Sequence, residues 1–342
     1  MASEADGIVE PASLSSVDVT IAPRLGVPPD QPDGAAPPPP AAEPPSSRLP
    51  ADPTPTAAPP PQPGQPTATS SPAPPTGLSP GFAPNPLAAP TPVLPSPEPV
   101  GYDVSWPQCV QTLPTELAFG VVGVNGGLAN STNPCLSSQL AWAAGAVGQT
   151  REPPVALYVN TANPPPAEAA WWPTSNSYPV GSGSIVPNPY GVCTGGESPA
   201  CSYIYGYAKA YDNATIRGVP SPASYFWWLD VETDNSWSSD EVANRAALEG
   251  MTHYYRDILN VAGVGIYSTG YQWARIVGGL GAVTSGTSLV GPSNLNGLPS
   301  WIAGAGSLAG ARANCSQPGL TGGTVTVTQY VTDNLDHNVS CP

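Results

Sequence analysis

The stretch Tyr225-Phe226-Trp227-Trp228-Leu229-Asp230-Val231-Glu232-Thr233 decides how this chain is read. It opens with bulky apolar residues and closes on two carboxylates separated by one valine. A short run rich in aromatic residues reads as a buried strand. Side chains alternate across a strand, so Asp230 and Glu232 face one side and Val231 the other. The two-residue advance sets the pair roughly 6–7 Å apart at the backbone. At the end of an apolar strand, desolvation and mutual repulsion separate the proton affinities of two such groups. Carboxyl pairs of this kind, one acid and one base or nucleophile, are what acetal hydrolysis uses. The same tripeptide also fits a solvated loop entry or a helix N-cap, since Asp234, Asn235 and Ser236 follow closely.

Outward from this strand, composition divides the chain near residue 100. Residues 1–100 hold 30 of the 49 prolines, no Tyr, Trp or Cys, and a single aromatic, Phe82. Such a segment cannot bury enough apolar surface to offset the entropy of ordering, so it is predicted to be disordered, with polyproline II character, as a spacer or stalk. Its nine acidic residues against Arg24 and Arg48 keep it solvated. Residues 1–22 lack the basic start and apolar core of a signal peptide, and no stretch is long enough to span a bilayer. The cysteines nevertheless point to an oxidising, extracellular or cell-wall setting, so an upstream leader outside this sequence, or a misassigned start, is expected.

Residues 101–342 form one predicted domain and carry all six cysteines. An even count, irregular spacing and only two histidines favour disulfides over a metal site. Neighbourhood in sequence suggests Cys109–Cys135, Cys193–Cys201 and Cys315–Cys341, with other connectivities formally open. No Cys-x-x-Cys pair exists, and His253 lies in a helical pattern where packing is the default, so no metal and no cofactor are expected.

Strands are predicted at 101–106, 118–124, 155–159, 225–233, 264–268, 298–303 and 325–331. Helices are predicted at 137–147, 203–217, 239–262 (closed by Gly263) and 271–277. This order of strand, helix and strand, ending in strands without clear helices between them, favours an α/β fold, an irregular parallel β/α barrel. Of Trp227 and Trp228, one is then expected inside the barrel and the other against helices. The Pro-, Ser- and Gly-rich stretch 163–199 reads as a long loop. Its Trp171, Trp172, Tyr178 and Tyr190 form either a wall on which sugars stack or ordinary loop packing. With 15 acidic residues against seven basic ones and no basic stripe, the domain is not a nucleic-acid binder. A Ser–His–Asp triad lacks its strand–turn–helix Gly-x-Ser-x-Gly context.

Five segments in register resemble the family 25 glycoside hydrolases, the Chalaropsis-type lysozymes. They are Gly101-Tyr102-Asp103-Val104-Ser105-Trp106, Leu229-Asp230-Val231-Glu232, Gly265-Ile266-Tyr267-Ser268, Trp301-Ile302-Ala303, and Gln329-Tyr330 followed by a loop with Leu335-Asp336-His337-Asn338. The likeness spans residues 101–342. It implies a secreted, monomeric, TIM-like barrel that hydrolyses a peptidoglycan-like polysaccharide. It also implies a cleft lined by Asp103, Asp230, Glu232 and Asp336, with Glu232 as the general acid and Asp230 attacking, stabilising positive charge or orienting the substrate. Substrate contacts would come from Tyr158, Tyr267, Trp301, Gln329 and Tyr330. The chain departs from the family where a Lys usually ends the second strand, here Gly123-Val124-Asn125-Gly126-Gly127, and at Thr328, where a Trp is common. Two rival readings are a carbohydrate- or wall-binding barrel without turnover and a glycosidase acting on another polysaccharide.

Overall fold

A computed structural model describes residues 100–284, 292–333 and 335–342. The expectation of a disordered, proline-rich segment falls on residues outside this set. Eight strands close into a barrel in sequence order: β1 Gly101–Val104, β2 Gly120–Gly123, β3 Val155–Asn160, β4 Phe226–Asp230, β5 Gly263–Ser268, β6 Ser300–Ala305, β7 Val325–Thr332 and β8 Leu335–Ser340. Neighbours run parallel except at β8, which is antiparallel to both β7 and β1. The α/β barrel is as expected, but its last strand reverses, and the segment read as a loop at 335–338 is a strand. Its polar residues gave no strand signal. A tight return at Asp333 (φ 54°) sends the chain back to cover the β7 and β1 edges.

Alternation along β4 sorts the core. Trp228 points inward, where Phe119, Val121, Trp301 and Val327 fill the barrel. Trp227, Leu229 and Val231 point outward into the layer beneath the helices, and Trp227 stacks on Tyr255 with ring centroids 4.6 Å apart. The inward set continues through Asp230 to Glu232, beyond the strand's end.

The helices are α1 Leu136–Ala143, α2 Pro199–Thr215, α3 Glu241–His253, α4 Gly270–Val277, α5 Leu280–Thr284 and α6 Leu308–Asn314. In α2, Ser198 caps the Cys201 N–H and Pro199 occupies the first turn, where its missing donor costs nothing. The helix expected over 239–262 is shorter. Asp240, rather than Ser239, accepts the Val242 N–H and starts it. A π turn at Tyr254–Ile258 ends it, and Asn260 takes the left-handed conformation (φ 54°) that leaves Gly263 free to open β5. Short helices α5 and α6 lie where none was clear from sequence. Helices α2 and α3 pack so closely that a Cβ on Gly206 would strike the Ala247 carbonyl, and one on Gly250 the Tyr203 carbonyl.

The loop before α2 packs on the helices. Trp172 stacks on Tyr205 at 5.2 Å, the Tyr178 hydroxyl donates to Asp212 (2.5 Å), and the Tyr190 hydroxyl donates to Glu249 (2.7 Å). All six cysteines pair as their sequence neighbourhood suggested.

Two outcomes follow from this framework. Gly206→Ala should lower the melting temperature more than any exposed Gly→Ala change, because backbone, not a flexible side chain, must move. Loop entropy ranks the bridges: removing Cys109–Cys135 or Cys315–Cys341 (separation 26) should cost about 3.5 kcal/mol, and removing Cys193–Cys201 (separation 8) about 2.5. Paired Cys→Ser variants compared by denaturant titration give the order, and six titratable thiols in the native protein would contradict it.

Candidate active site

Strand register gathers the acidic residues. Asp103 of β1 lies directly opposite Asp336 of β8. Asp230, last in β4, sits between Asn160 of β3 and Tyr267 of β5. Two residues on, Glu232 faces the same side. The four carboxylates line one pocket of about 130 Å³ at the barrel mouth, with Tyr158, Tyr267, Trp301 and Gln329 completing its wall. Asp230 and Asp103 are 4% and 7% exposed, whereas Glu232 and Asp336 are half-buried.

The segment that carries Asp230 and Glu232 has left the sheet, yet it is pinned at three successive carbonyls. Thr161 Oγ1 donates to the Asp230 carbonyl (2.6 Å), Ser268 Oγ to that of Val231 (2.7 Å), and Trp237 Nε1 to that of Glu232 (2.7 Å). The Val231 N–H returns to the Tyr267 carbonyl at 2.9 Å. Each donor comes from a different neighbouring segment, so the acid pair is held from three sides.

Asp103 Oδ2 accepts from Asn338 Nδ2 (2.7 Å) and Gln329 Nε2 (3.0 Å). These amides are oriented in turn, Gln329 Oε1 accepting from Tyr267 (2.9 Å) and Asn338 Oδ1 from Trp301 Nε1 (2.9 Å). Asp230 Oδ2 accepts from Asn160 Nδ2 (3.1 Å), while its other oxygen, equally buried, has no partner among the described residues. A buried carboxylate oxygen without a donor is costly, and this one faces the pocket with the other three carboxyls.

Burial is the first cause of raised proton affinity at all four carboxyls. Asp103 rises to about 7, pushed further by Asp336 and Glu232 and restrained by the Asn338 and Gln329 donors. Asp230 is raised well above the ordinary range, with Glu232 and Asp103 adding to burial. Glu232 is raised by burial and then by Asp234 and Asp336, and Asp336 by burial against the opposing pull of His337. The cluster therefore holds protons at pH values where isolated carboxyls have lost them.

Of the expected substrate contacts, Tyr158, Tyr267, Trp301 and Gln329 meet in the pocket. Tyr330 does not: it alternates with Gln329 on β7, points to the outer face and stacks on His337 at 5.0 Å. None of Trp171, Trp172, Tyr178 and Tyr190 lines the pocket. Sequence reading missed Asn160 and the role of Asn338. Asn338 heads a glycosylation sequon yet is fully buried against Asp103. Its spacing of two from Asp336 would have shown it, had 335–340 been read as a strand. His253 packs among helices, its Nδ1 2.7 Å from the Tyr203 hydroxyl. Among the described residues, no group of three or more His, Cys, Asp or Glu has the arrangement to hold a metal ion, and no helix is long and apolar enough to cross a membrane.

No family model matches the chain, and no curated protein matches it. Among solved structures, a muramidase from Trichobolus zukalii is similar over 71% of this chain and 93% of its own, with 14% identity and a TM-score of 0.41. A likeness of that size says nothing about chemistry.

A carboxyl whose proton affinity rises on folding contributes stability that is complete below its unfolded value and lost as pH climbs through the folded one. For Asp103 that window runs from 3.8 to about 7, and Glu152, raised to about 7 by burial, adds a slope of the same sign. Residues 101–342 should therefore melt at a higher temperature at pH 5 than at pH 7.5. Asp103→Asn keeps an acceptor for the Asn338 and Gln329 amides and removes the charge. It should raise the pH 7.5 melting temperature by about 2–4 °C, the shift expected for about 1 kcal/mol in a domain of this size. Calorimetry at both pH values checks the sign, and a lower melting temperature for Asp103→Asn would contradict the electrostatics.

Proposed function

We propose that residues 101–342 are a secreted glycoside hydrolase of lysozyme type, acting on a peptidoglycan-like polysaccharide, with residues 1–100 as its spacer. The observation that carries this reading is the unequal pair on one strand end. Glu232 is half-buried, its proton affinity raised by burial and then by the charges of Asp234 and Asp336. Asp230 is buried below it, with one oxygen lacking a partner. The six paired cysteines suit an oxidising, extracellular setting.

In the proposed reaction Glu232 donates its proton to the glycosidic oxygen as the bond to the anomeric carbon breaks. Positive charge then develops on the sugar ring, and Asp230 faces it with the unpartnered oxygen, as nucleophile, as counter-charge or by orienting a neighbouring substituent. Water adds at the anomeric carbon, and its proton passes to a carboxylate of the cluster. Asp103 and Asp336 keep the local potential negative, which favours both the protonated Glu232 and the cationic transition state. No cofactor enters these steps. The site also argues against a barrel that only binds. A binder gains nothing from several desolvated carboxylates sharing one pocket, and each of them lowers stability at neutral pH.

Glu232→Gln is the decisive variant. It should reduce release of new reducing ends from purified cell walls by about 10²–10⁴-fold, the usual share of a general acid, with an unchanged melting profile. Wild-type turnover should fall as pH rises through the elevated proton affinity of Glu232. Activity retained by Glu232→Gln would remove the residue from the acid role.

A further inference from the structure

The loop that leaves Glu232 builds a second cavity at the same end of the barrel. Thr233, Asn235 and Trp237 form one side of a space of about 440 Å³, and Arg275 of α4 stands on the other. Helix α4 begins two residues after β5, the strand that carries Tyr267 into the acid pocket. The two walls are locked together through Asn244, whose Nδ2 donates to the carbonyls of Ser238 and Ile276 (both 2.9 Å). The Trp237 bond to the Glu232 carbonyl makes this cavity and the acid pocket parts of one rigid frame.

It holds a cation in a chain of net charge −15, as does a separate cavity lined by Arg151 and Arg312. Lys209 pairs with Asp212, and Arg217, Arg245 and Arg256 donate to Thr132, Val277 and Asn294. Arg275 is exposed and has no hydrogen bond or ion pair among the described residues. Glu241 also borders the cavity, but its Oε2 lies against Gly278, where Arg245 Nη1 approaches as well. Apart from Trp237 and Ile276, the remaining lining is hydroxyl and amide, suited to sugar hydroxyls. A guanidinium placed so matches a carboxylate in both geometry and charge.

We infer that this cavity is a second binding site that takes a carboxylate-bearing branch of the polysaccharide, with Arg275 pairing the carboxylate beside Trp237. The inference rests on the glycosidase reading and deepens it, by giving a carboxylate of that polysaccharide a place and a partner, Arg275. It also gives an acidic domain a local means of gripping an anionic substrate.

The test is isothermal titration of the full chain in a Glu232→Gln background, where no turnover intervenes. The probes are an oligomer of alternating N-acetylglucosamine and N-acetylmuramic acid with free lactyl carboxylates, and the same oligomer with those carboxylates amidated. Adding Arg275→Gln should weaken the free-acid oligomer about tenfold and leave the amidated one unchanged. Arg275→Lys should recover part of the loss. Equal affinities with and without Arg275, or equal losses on both oligomers, overturn the inference while the glycan site stands. If the Glu232→Gln protein binds neither oligomer, the glycosidase reading itself fails and takes the inference with it.

Discussion

Mutual repulsion among four carboxylates in one desolvated pocket is the constraint that the barrel mouth is built to resist. Among the described residues no cation lines the pocket: the side chains bonded to Asp103 are amides, and the Asp230 carboxylate accepts from Asn160. In a low-dielectric setting their charges act over longer reach than in water, so any slack in the backbone would let them turn outward. The slack is removed from two directions. Below, Trp228, Trp301 and Phe119 fill the barrel and leave the side chains no room to sink. Above, the carbonyls of residues 230, 231 and 232 are tied to Thr161, Ser268 and Trp237. Protonation relieves the rest of the repulsion.

A comparison within the molecule shows that this frustration is local. Glu249 is also a buried carboxylate with raised proton affinity, but both of its oxygens are occupied, by Tyr190 (2.7 Å) and Ser293 (2.5 Å). Tyr178 treats Asp212 similarly on the outer side of α2. Where a carboxylate serves packing, this chain supplies hydroxyl donors to it. At the barrel mouth it supplies too few. Unmet demand of this kind lowers stability and is kept where function needs it. The three disulfides and the close α2–α3 contact stabilise the domain far from the pocket and offset the deficit.

The β4 segment was legible because one alternation governs its whole length: Trp227, Leu229 and Val231 against the helices, and Trp228, Asp230 and Glu232 toward the axis. Tyr267, Trp301 and Gln329 followed from the resemblance, and each lies on a strand whose period of two carries it inward. Tyr330 lies outside the pocket for the same reason that Gln329 lines it, since adjacent residues of a strand face opposite sides. Strand β8 was invisible as a strand because its inward residues, Asp336 and Asn338, are polar and serve the pocket, so hydrophobic periodicity was absent where function replaced packing. For the aromatic loop the sequence left two readings open, a sugar-stacking wall or ordinary packing. Sequence shows that Trp172, Tyr178 and Tyr190 are bulky and flanked by turn residues. It does not show that α2 and α3 present Tyr205, Asp212 and Glu249 to receive them.

The departure at the end of β2 is best understood through what Asn125 does. It is 1% exposed, and its Oδ1 accepts the Asn160 backbone N–H at 3.0 Å, while its Nδ2 donates to Ser131 and Asn213, both at 3.0 Å. Asn160 in turn donates to the Asp230 carboxylate. A neutral amide thus stands just past the end of β2, and it acts at one remove by fixing the residue that touches the acid pair. Next to it, Gly123 leaves room that Ser105 and Tyr158 occupy, for a Cβ there would lie 2.6 Å from each. A cation at this corner would have stabilised the carboxylates as anions and drawn proton affinity out of the cluster. With an amide there instead, nothing at this corner opposes the raised proton affinity of the cluster. The changed second strand therefore alters how the pocket holds its protons as well as its shape.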